Sequence, residues 1–216
     1  MFVCTLFWLA AALLPVVQAQ PFLKEINAFK KADSVAMPAP GQILLLGSSS
    51  FTLWKNVGEY FPGYAILNRA FGGSTLQDVW YYREQLIPQY QPRQIIIYCG
   101  ENDFASSDTV TVPLVVERFQ RLFQYIRQVY PAVPIAYVSM KPSPSRRHLL
   151  GRYQLANTQI QQWLRKQRRA RFIDVYSAML QPDGQPMSHL FLSDSLHMNA
   201  EGYRIWQGLM KPHLKK

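Results

Sequence analysis

The segment QILLLGSSSF, residues 42–51, places an apolar run directly before one glycine and three consecutive serines. A short apolar run bounded by turn residues is consistent with a buried β-strand. The segment contains only one glycine, and Phe51, Leu53 and Trp54 follow its serines, so it does not resemble a flexible linker. A structural turn and a set of reactive hydroxyls are equally favoured here, and the rest of the chain decides between them.

Apolar runs of strand length alternate with amphipathic segments of helix length along the chain. The predicted strands are Ile43–Leu46, Tyr64–Leu67, Gln94–Tyr98, Ile135–Val138 and Arg171–Asp174. The predicted helices are an N-terminal one within residues 20–40, then Thr75–Gln89, Val112–Val129, Leu149–Gln167 and Ala200–Met210, the last behind the N-cap candidate Asn199. This alternation predicts a parallel sheet with helices on both faces.

The overall composition is that of one globular domain. The chain has 216 residues, of which 49% are hydrophobic and 17% are charged. The formal net charge is +10, but the basic residues are scattered and form no basic–aromatic motif of a nucleic-acid module, so no nucleic acid is expected as a partner. A solvated basic face is favoured, with weak attraction to anionic envelope polymers as the alternative.

The first residues form a separate segment, MFVCTLFWLAAALLPVVQAQ, with an apolar core followed by Val17-Gln18-Ala19. This small-residue pattern predicts a signal peptide at residues 1–19 and a secreted or periplasmic protein. The segment lacks Lys and Arg, so an uncleaved membrane anchor is the alternative, although Pro15 and the short length disfavour a full span. Without Cys4, Cys99 has no partner for an intramolecular disulfide and is interpreted as a small buried residue.

Polar segments follow four of the predicted strands. In a parallel α/β sheet the ligand crevice lies outside the carboxyl ends of the strands, so these four segments are expected at one edge. They are Ser48–Ser50, NRAFGGST at 68–75, GEND at 100–103 and VSMKPSPSRR at 138–147. The fourth is expected either to line a substrate pocket or to form a rigid surface turn.

Hydrolysis by a serine needs a base, a group that orients the base, and donors for the oxyanion. His197 lies in LSDSLHMNAEGY, three residues after Asp194, where a local turn can join carboxylate and Nδ1 and leave Nε2 for a serine. The same pattern also occurs in ordinary turns. Of the other histidines, His148 lies beside two arginines, His189 in an expected surface loop and His213 near the basic C-terminus.

Two further residues can supply donors at the same edge. The N–H of Gly73 can approach a ligand closely because glycine has no Cβ, although a simple turn glycine is the alternative. Asn102 offers a side-chain amide, and its alternative is an Asx turn with Asp103.

Together, GSSS, NRAFGGST, GEND and DSLHMNAEGY resemble the four sequence blocks of the SGNH hydrolases, also called GDSL-type esterases and lipases. The blocks extend from Gly47 to Tyr203 in the order and spacing of that family. The resemblance implies a flavodoxin-like three-layer α/β/α fold over residues 41–216, with a five-stranded parallel sheet. It also implies ester hydrolysis through an acyl-serine, without a metal or another cofactor.

The resemblance also assigns roles to individual residues. It implies that Ser49 is the nucleophile, that Asp194 and His197 are its acid and base, and that Ser49, Gly73 and Asn102 form the oxyanion hole.

Ser48 stands where the family motif has Asp. That Asp is not the acid of the triad, so activity is expected to persist with different hydrogen bonding in the turn. Ser48 and Ser50 are the alternative nucleophiles.

The expected function is therefore a secreted serine esterase for short-acyl, acetyl or lysophospholipid esters. Its partner would be a small-molecule, polysaccharide or lipid ester. A catalytically silent carbohydrate- or lipid-binding module of the same fold is the alternative.

Overall fold

The computed structural model describes residues 20–216, so the predicted signal peptide at residues 1–19 lies outside the described residues. Five parallel strands form one sheet in the order β2-β1-β3-β4-β5. They are β1 Ile43–Gly47, β2 Ile66–Asn68, β3 Gln94–Tyr98, β4 Ile135–Val138 and β5 Ala170–Ile173. The predicted five-stranded parallel sheet is confirmed.

Helices cover both faces of this sheet. They are α1 Leu23–Val35, α2 Ser49–Thr52, α3 Val57–Tyr60, α4 Leu76–Tyr81, α5 Arg83–Leu86, α6 Glu101–Ser106, α7 Val112–Val129, α8 Leu150–Leu164 and α9 Ala200–Met210. Short 3₁₀ turns lie at Pro144–Leu149, Ser177–Met179, Ser188–Leu190 and Lys211–His213. Among the described residues, no helix is both long and apolar enough to cross a membrane.

Two hydrophobic cores, one on each face of the sheet, give the three-layer architecture. Leu44 and Leu46 face the core that includes residues of α1, α4, α7 and α8. Ile43 and Leu45 point the other way, into the core that includes residues of α2, α3 and α9. Every residue of β1, β3 and β4 is buried, because these strands are covered on both faces.

Most predicted elements are confirmed, but the single helix predicted at Thr75–Gln89 is wrong. The structure has two short helices there, α4 and α5, which meet at Tyr82, where the backbone is not helical (φ −92°, ψ 10°). The buried Tyr82 ring packs on Phe71, and its hydroxyl donates to the Pro21 carbonyl at 2.7 Å. These tertiary contacts fix Tyr82 and outweigh the helical periodicity of the sequence.

The N-terminal helix α1 is anchored to the sheet domain at both ends. Near its start, the Phe22 ring packs edge-on against Phe71 at 5.1 Å between centroids. Near its end, Asp33 accepts hydrogen bonds from the Arg69 guanidinium and the Tyr90 hydroxyl. The beginning of α1 therefore lies beside the loop that follows β2.

Gly47 ends β1 in a conformation that only glycine adopts easily, with φ +132°. A Cβ at this position would lie 1.8 Å from the carbonyl oxygen of Tyr98 on the neighbouring strand β3. The close approach lets the Ser48 N–H donate to that same oxygen at 3.0 Å. Gly47 thus sets the position from which the serine segment leaves the sheet.

We expect Gly47→Ala to lower the free energy of unfolding by more than about 3 kcal/mol, because both backbone strain and a steric clash oppose the methyl group. Urea denaturation followed by circular dichroism measures this loss. Gly208→Ala is the matched control: nothing lies within 4 Å of its added Cβ, and the position is exposed within α9. This control should be neutral or stabilising by up to about 1 kcal/mol, and equal effects of the two substitutions would contradict the role of Gly47.

Candidate active site

The three serines after β1 occupy different environments. Ser48 precedes the first helical residue of α2, and its side chain is buried, as is that of Ser50. Ser49 is the partly exposed member of the three and begins the helix. In the first turn of a helix the N–H groups have no intrahelical acceptor, and within residues 20–216 the Ser49 N–H has no other backbone acceptor. Ser49 therefore presents both a reachable hydroxyl and a free donor.

Gly73 lies in the loop after β2 with φ +80°, a left-handed conformation. The nearest atom to a Cβ at this position is 3.8 Å away, on the Phe22 ring, so the backbone conformation rather than crowding favours glycine. Phe71 N–H and the Ser74 hydroxyl both donate to the Gly47 carbonyl, at 3.0 and 3.1 Å. These bonds hold the loop with Gly73 against the end of β1.

Asn102, in the first turn of α6, joins three segments through its side-chain amide. Its Nδ2 donates to Ser48 Oγ at 2.7 Å and to the Ser74 carbonyl at 3.1 Å. Its Oδ1 accepts from Arg146 Nη2 at 2.8 Å. The partners are 28 to 54 residues away in sequence, so the side chain makes a tertiary bridge and not the local Asx turn considered as an alternative.

Asp194 and His197 meet on the turn before α9. His197 Nδ1 lies 2.6 Å from Asp194 Oδ2, and the N–H groups of Leu196 and His197 both donate to Asp194 Oδ1 at 2.9 Å. Desolvation opposes the charged carboxylate, but these backbone and side-chain hydrogen bonds together lower the pKa of Asp194 to about 2. The ionised carboxylate engages Nδ1, which leaves Nε2 as the nitrogen that can accept a proton.

The 3₁₀ turn after β4 connects this histidine turn with the serine segment. Both the N–H and the hydroxyl of Ser145 donate to the Ser195 carbonyl, at 3.1 and 2.9 Å. The next residue, Arg146, contacts Asn102 as described. On the opposite side, the Tyr203 hydroxyl of α9 donates to the Ser50 carbonyl at 2.9 Å. These contacts bring the four blocks GSSS, NRAFGGST, GEND and DSLHMNAEGY to the same edge of the sheet.

A buried charge cluster beneath Asn102 was missed by the sequence analysis. We call Glu101, Lys141 and Arg146 the Glu101 cluster. Lys141 Nζ lies 3.1 and 3.0 Å from the two Glu101 oxygens, and Arg146 Nη1 lies 3.5 Å from one of them. The Tyr98 hydroxyl also donates to Glu101. Burial lowers the pKa of Lys141, and the charge of Glu101 opposes this shift. The available sequence signal was that Glu101 and Lys141 each lie three residues after the end of a buried strand.

The remaining histidines lie away from this arrangement. His148 and His189 are exposed, and neither has an ion-pair partner among residues 20–216. His213 is at the opposite edge, where its carbonyl accepts from Gln94 at the start of β3. Burial and the nearby Arg171 and Lys215 lower the pKa of His213.

Cys99 is a free, buried thiol whose pKa is raised by desolvation, as expected for an unreactive cysteine. Within residues 20–216, no group of three or more His, Cys, Asp or Glu side chains is placed to hold a metal ion.

Comparison with known proteins identifies the family. Residues 46–205 match the family model of the GDSL-like Lipase/Acylhydrolase family, and the chain therefore belongs to this family of hydrolases. The fold is the SGNH hydrolase fold that the sequence blocks implied. No curated protein matches the sequence significantly.

Several solved structures share this fold. A candidate platelet activating factor from Streptococcus pneumonia superposes with a TM-score of 0.78 at 19% identity, covering 89% of this chain and 92% of that one. A GDSL-like lipase from Bacteroides thetaiotaomicron has a TM-score of 0.73 at 17% identity, with coverages of 88% and 97%. A family 3 carbohydrate esterase from Talaromyces cellulolyticus has a TM-score of 0.60 at 14% identity, with coverages of 80% and 95%. At these identities the similarity shows the common fold.

We expect His197→Ala to raise the pKa of Asp194 from about 2 while leaving it below the ordinary 3.8, because the two backbone N–H donors persist. A ¹³C NMR pH titration of the carboxyl group measures this. Because the folded-state pKa is lowered, these interactions stabilise the fold above about pH 4 and are lost as the pH falls towards 2. His189→Ala should leave the pKa of Asp194 unchanged. A value above 3.8 in His197→Ala, or no change at all, would contradict the assigned donors.

Proposed function

We propose that this chain is a serine esterase that hydrolyses carboxylic esters with short acyl groups through an acyl-serine intermediate. The main observation behind the proposal is the hydrogen bond between Asp194 and His197. Ser145 links the turn that holds this pair to the 3₁₀ turn after β4, which contacts the serine segment through Asn102. Membership in the GDSL-like family supports ester hydrolysis.

In the proposed reaction, Ser49 Oγ attacks the ester carbonyl carbon while His197 Nε2 takes the hydroxyl proton. Asp194 holds Nδ1 and stabilises the imidazolium that forms. The tetrahedral intermediate collapses as His197 gives the proton to the leaving alcohol. Water, activated by the same nitrogen, then hydrolyses the acyl-serine and regenerates the free hydroxyl.

The proposed oxyanion donors are the N–H groups of Ser49 and Gly73 and the side-chain amide of Asn102. In the resting structure the two Nδ2 protons of Asn102 face Ser48 Oγ and the Ser74 carbonyl. Ser48 Oγ is a neutral acceptor, and an oxyanion accepts a stronger, charge-assisted hydrogen bond. We infer that the oxyanion draws this proton away from Ser48 as it forms. A hydroxyl in place of the family's Asp thus adds no negative charge beside the oxyanion.

The proposed substrate class is an acetyl or other short-acyl ester on a small molecule, a polysaccharide or a lipid, with lysophospholipids included. The fold shared with a family 3 carbohydrate esterase supports a carbohydrate ester, and the fold shared with a GDSL-like lipase supports a lipid ester. We further propose that the protein is secreted or periplasmic, on the basis of the N-terminal apolar segment and the Val17-Gln18-Ala19 pattern.

Ser49→Ala should abolish hydrolysis of p-nitrophenyl acetate and leave the unfolding transition unchanged, because only a partly exposed hydroxyl is removed. Ser50→Ala is the matched control and should remain active, since Ser50 Oγ is buried and has no hydrogen-bond partner among the described residues. A fluorophosphonate probe analysed by mass spectrometry should label Ser49. Labelling of Ser48 or Ser50 would refute the assignment, and unchanged turnover in Ser49→Ala would refute the acyl-serine mechanism at Ser49. Absence of turnover in the wild type would favour the silent binding module.

Asn102→Ala should lower kcat by about 10²–10³ with little change in KM, because one oxyanion donor is lost in the transition state. Steady-state kinetics on the same ester measure both constants. Asn56→Ala is the control, because Asn56 is exposed and bonds locally to Glu59. Equal kcat values for Asn102→Ala and the wild type would remove Asn102 from the proposed oxyanion hole.

A further inference from the structure

We propose that Arg146 is a positioning residue that fixes the orientation of the Asn102 amide, so that its N–H faces the oxyanion site. The inference rests on the proposed function, because it assigns Arg146 a role in the oxyanion hole of that same reaction. The carrying observation is the 2.8 Å hydrogen bond from Arg146 Nη2 to Asn102 Oδ1.

An asparagine amide can adopt two orientations related by a 180° flip, and its neighbours decide between them. Arginine can only donate, and it faces Oδ1; the Ser74 carbonyl can only accept, and it faces Nδ2. A flipped amide would place donor against donor and acceptor against acceptor. The third neighbour, Ser48 Oγ, can serve as donor or acceptor and exerts no preference. Without the guanidinium, only the Ser74 carbonyl would select the orientation that points a proton towards Ser48.

The guanidinium is itself held in place from two sides. Its side chain is only 16% exposed, and Nη1 lies 3.5 Å from Glu101 Oε2. Glu101 is in turn fixed by Lys141, whose side chain is 1% exposed, and by the Tyr98 hydroxyl. The backbone is anchored at the preceding residue, where Ser145 donates twice to the Ser195 carbonyl. Arg146 therefore has little freedom to leave Asn102.

The charge of the cluster acts in the same direction. Two basic side chains, Lys141 and Arg146, face one carboxylate, Glu101, and the Arg146 guanidinium is the one that contacts Asn102. A positive charge at Oδ1 polarises the amide and strengthens its N–H groups as donors.

The first experiment compares Arg146→Met with Arg147→Met on the p-nitrophenyl ester. Arg146→Met should lower kcat by about 10–10² and change KM by less than about 3-fold, since the loss lies in the transition state and cannot exceed that of Asn102 itself. Arg147, the adjacent exposed arginine, makes no ion pair within residues 20–216 and should behave as wild type. Unchanged kcat in Arg146→Met, or an equal loss in Arg147→Met, would overturn the proposal.

The second experiment introduces Arg146→Met into the Asn102→Ala protein. If Arg146 acts through Asn102, the double variant should lose less than about 3-fold beyond Asn102→Ala alone, because coupled residues are not additive. A loss that multiplies in full would show that Arg146 acts independently of Asn102 and overturn the proposal.

Arg146→Lys covers the case in which Arg146→Met does not fold. Lysine retains the cation opposite Glu101 but lacks the planar fork, so we expect an intermediate kcat with an unchanged melting temperature. Arg146→Lys is also combined with Asn102→Ala, with the same expectation for the double variant. A kcat of Arg146→Lys equal to that of the wild type would show that the guanidinium is not needed and overturn the proposal.

Ser49→Ala distinguishes failure of the proposed function from failure of this inference. Hydrolysis that persists without Ser49 refutes the proposed function. Hydrolysis that depends on Ser49 but not on Arg146 refutes only this inference.

Discussion

The peptide unit of Gly47 is the constraint on which the site depends. Its missing side chain allows β1 and β3 to approach closely, and its carbonyl accepts from Phe71 N–H and the Ser74 hydroxyl. The serine segment, the loop with Gly73 and the end of β3 are thereby held to one point of the backbone. Any side chain here would separate elements that have to act together. Two of the three proposed oxyanion donors, the N–H groups of Ser49 and Gly73, therefore belong to main-chain segments tied to this peptide unit.

The parts of the fold that the sequence predicted are those with strong local patterns. The strands Gln94–Tyr98 and Ile135–Val138 and the helices Val112–Val129 and Ala200–Met210 have the predicted bounds, because continuous apolar runs and clear amphipathic periodicity mark them. The N-cap at Asn199 also forms, since its side chain accepts from two N–H groups of the first turn. Helices of four to six residues, such as α2 and α6, are too short for periodicity to indicate.

The site shows the same division between local and long-range information. The Asp194–His197 contact spans three residues and was visible as a motif. The Glu101 cluster joins residues 40 to 45 positions apart, and it exists only because β3 and β4 are neighbours in the sheet. The sequence placed both segments at one edge of the sheet, but which charged side chains meet there depends on the pairing of β3 with β4. Buried ion pairs contribute little net stability, so the significance of this cluster lies in the fixed position that it gives Arg146.

The two ends of the described chain lie in different surroundings. Pro21 and Phe22, ahead of α1, contact Tyr82 and Phe71 beside the Gly73 loop. Lys215, near the other end, donates through its backbone to Gln94 at the start of β3, on the far side of the sheet. An affinity tag or a surface linkage attached behind Lys216 would leave the serine edge open to bulky polymers, whereas a fusion joined directly before Pro21 would crowd it. Immobilised preparations should therefore be coupled through the C-terminus.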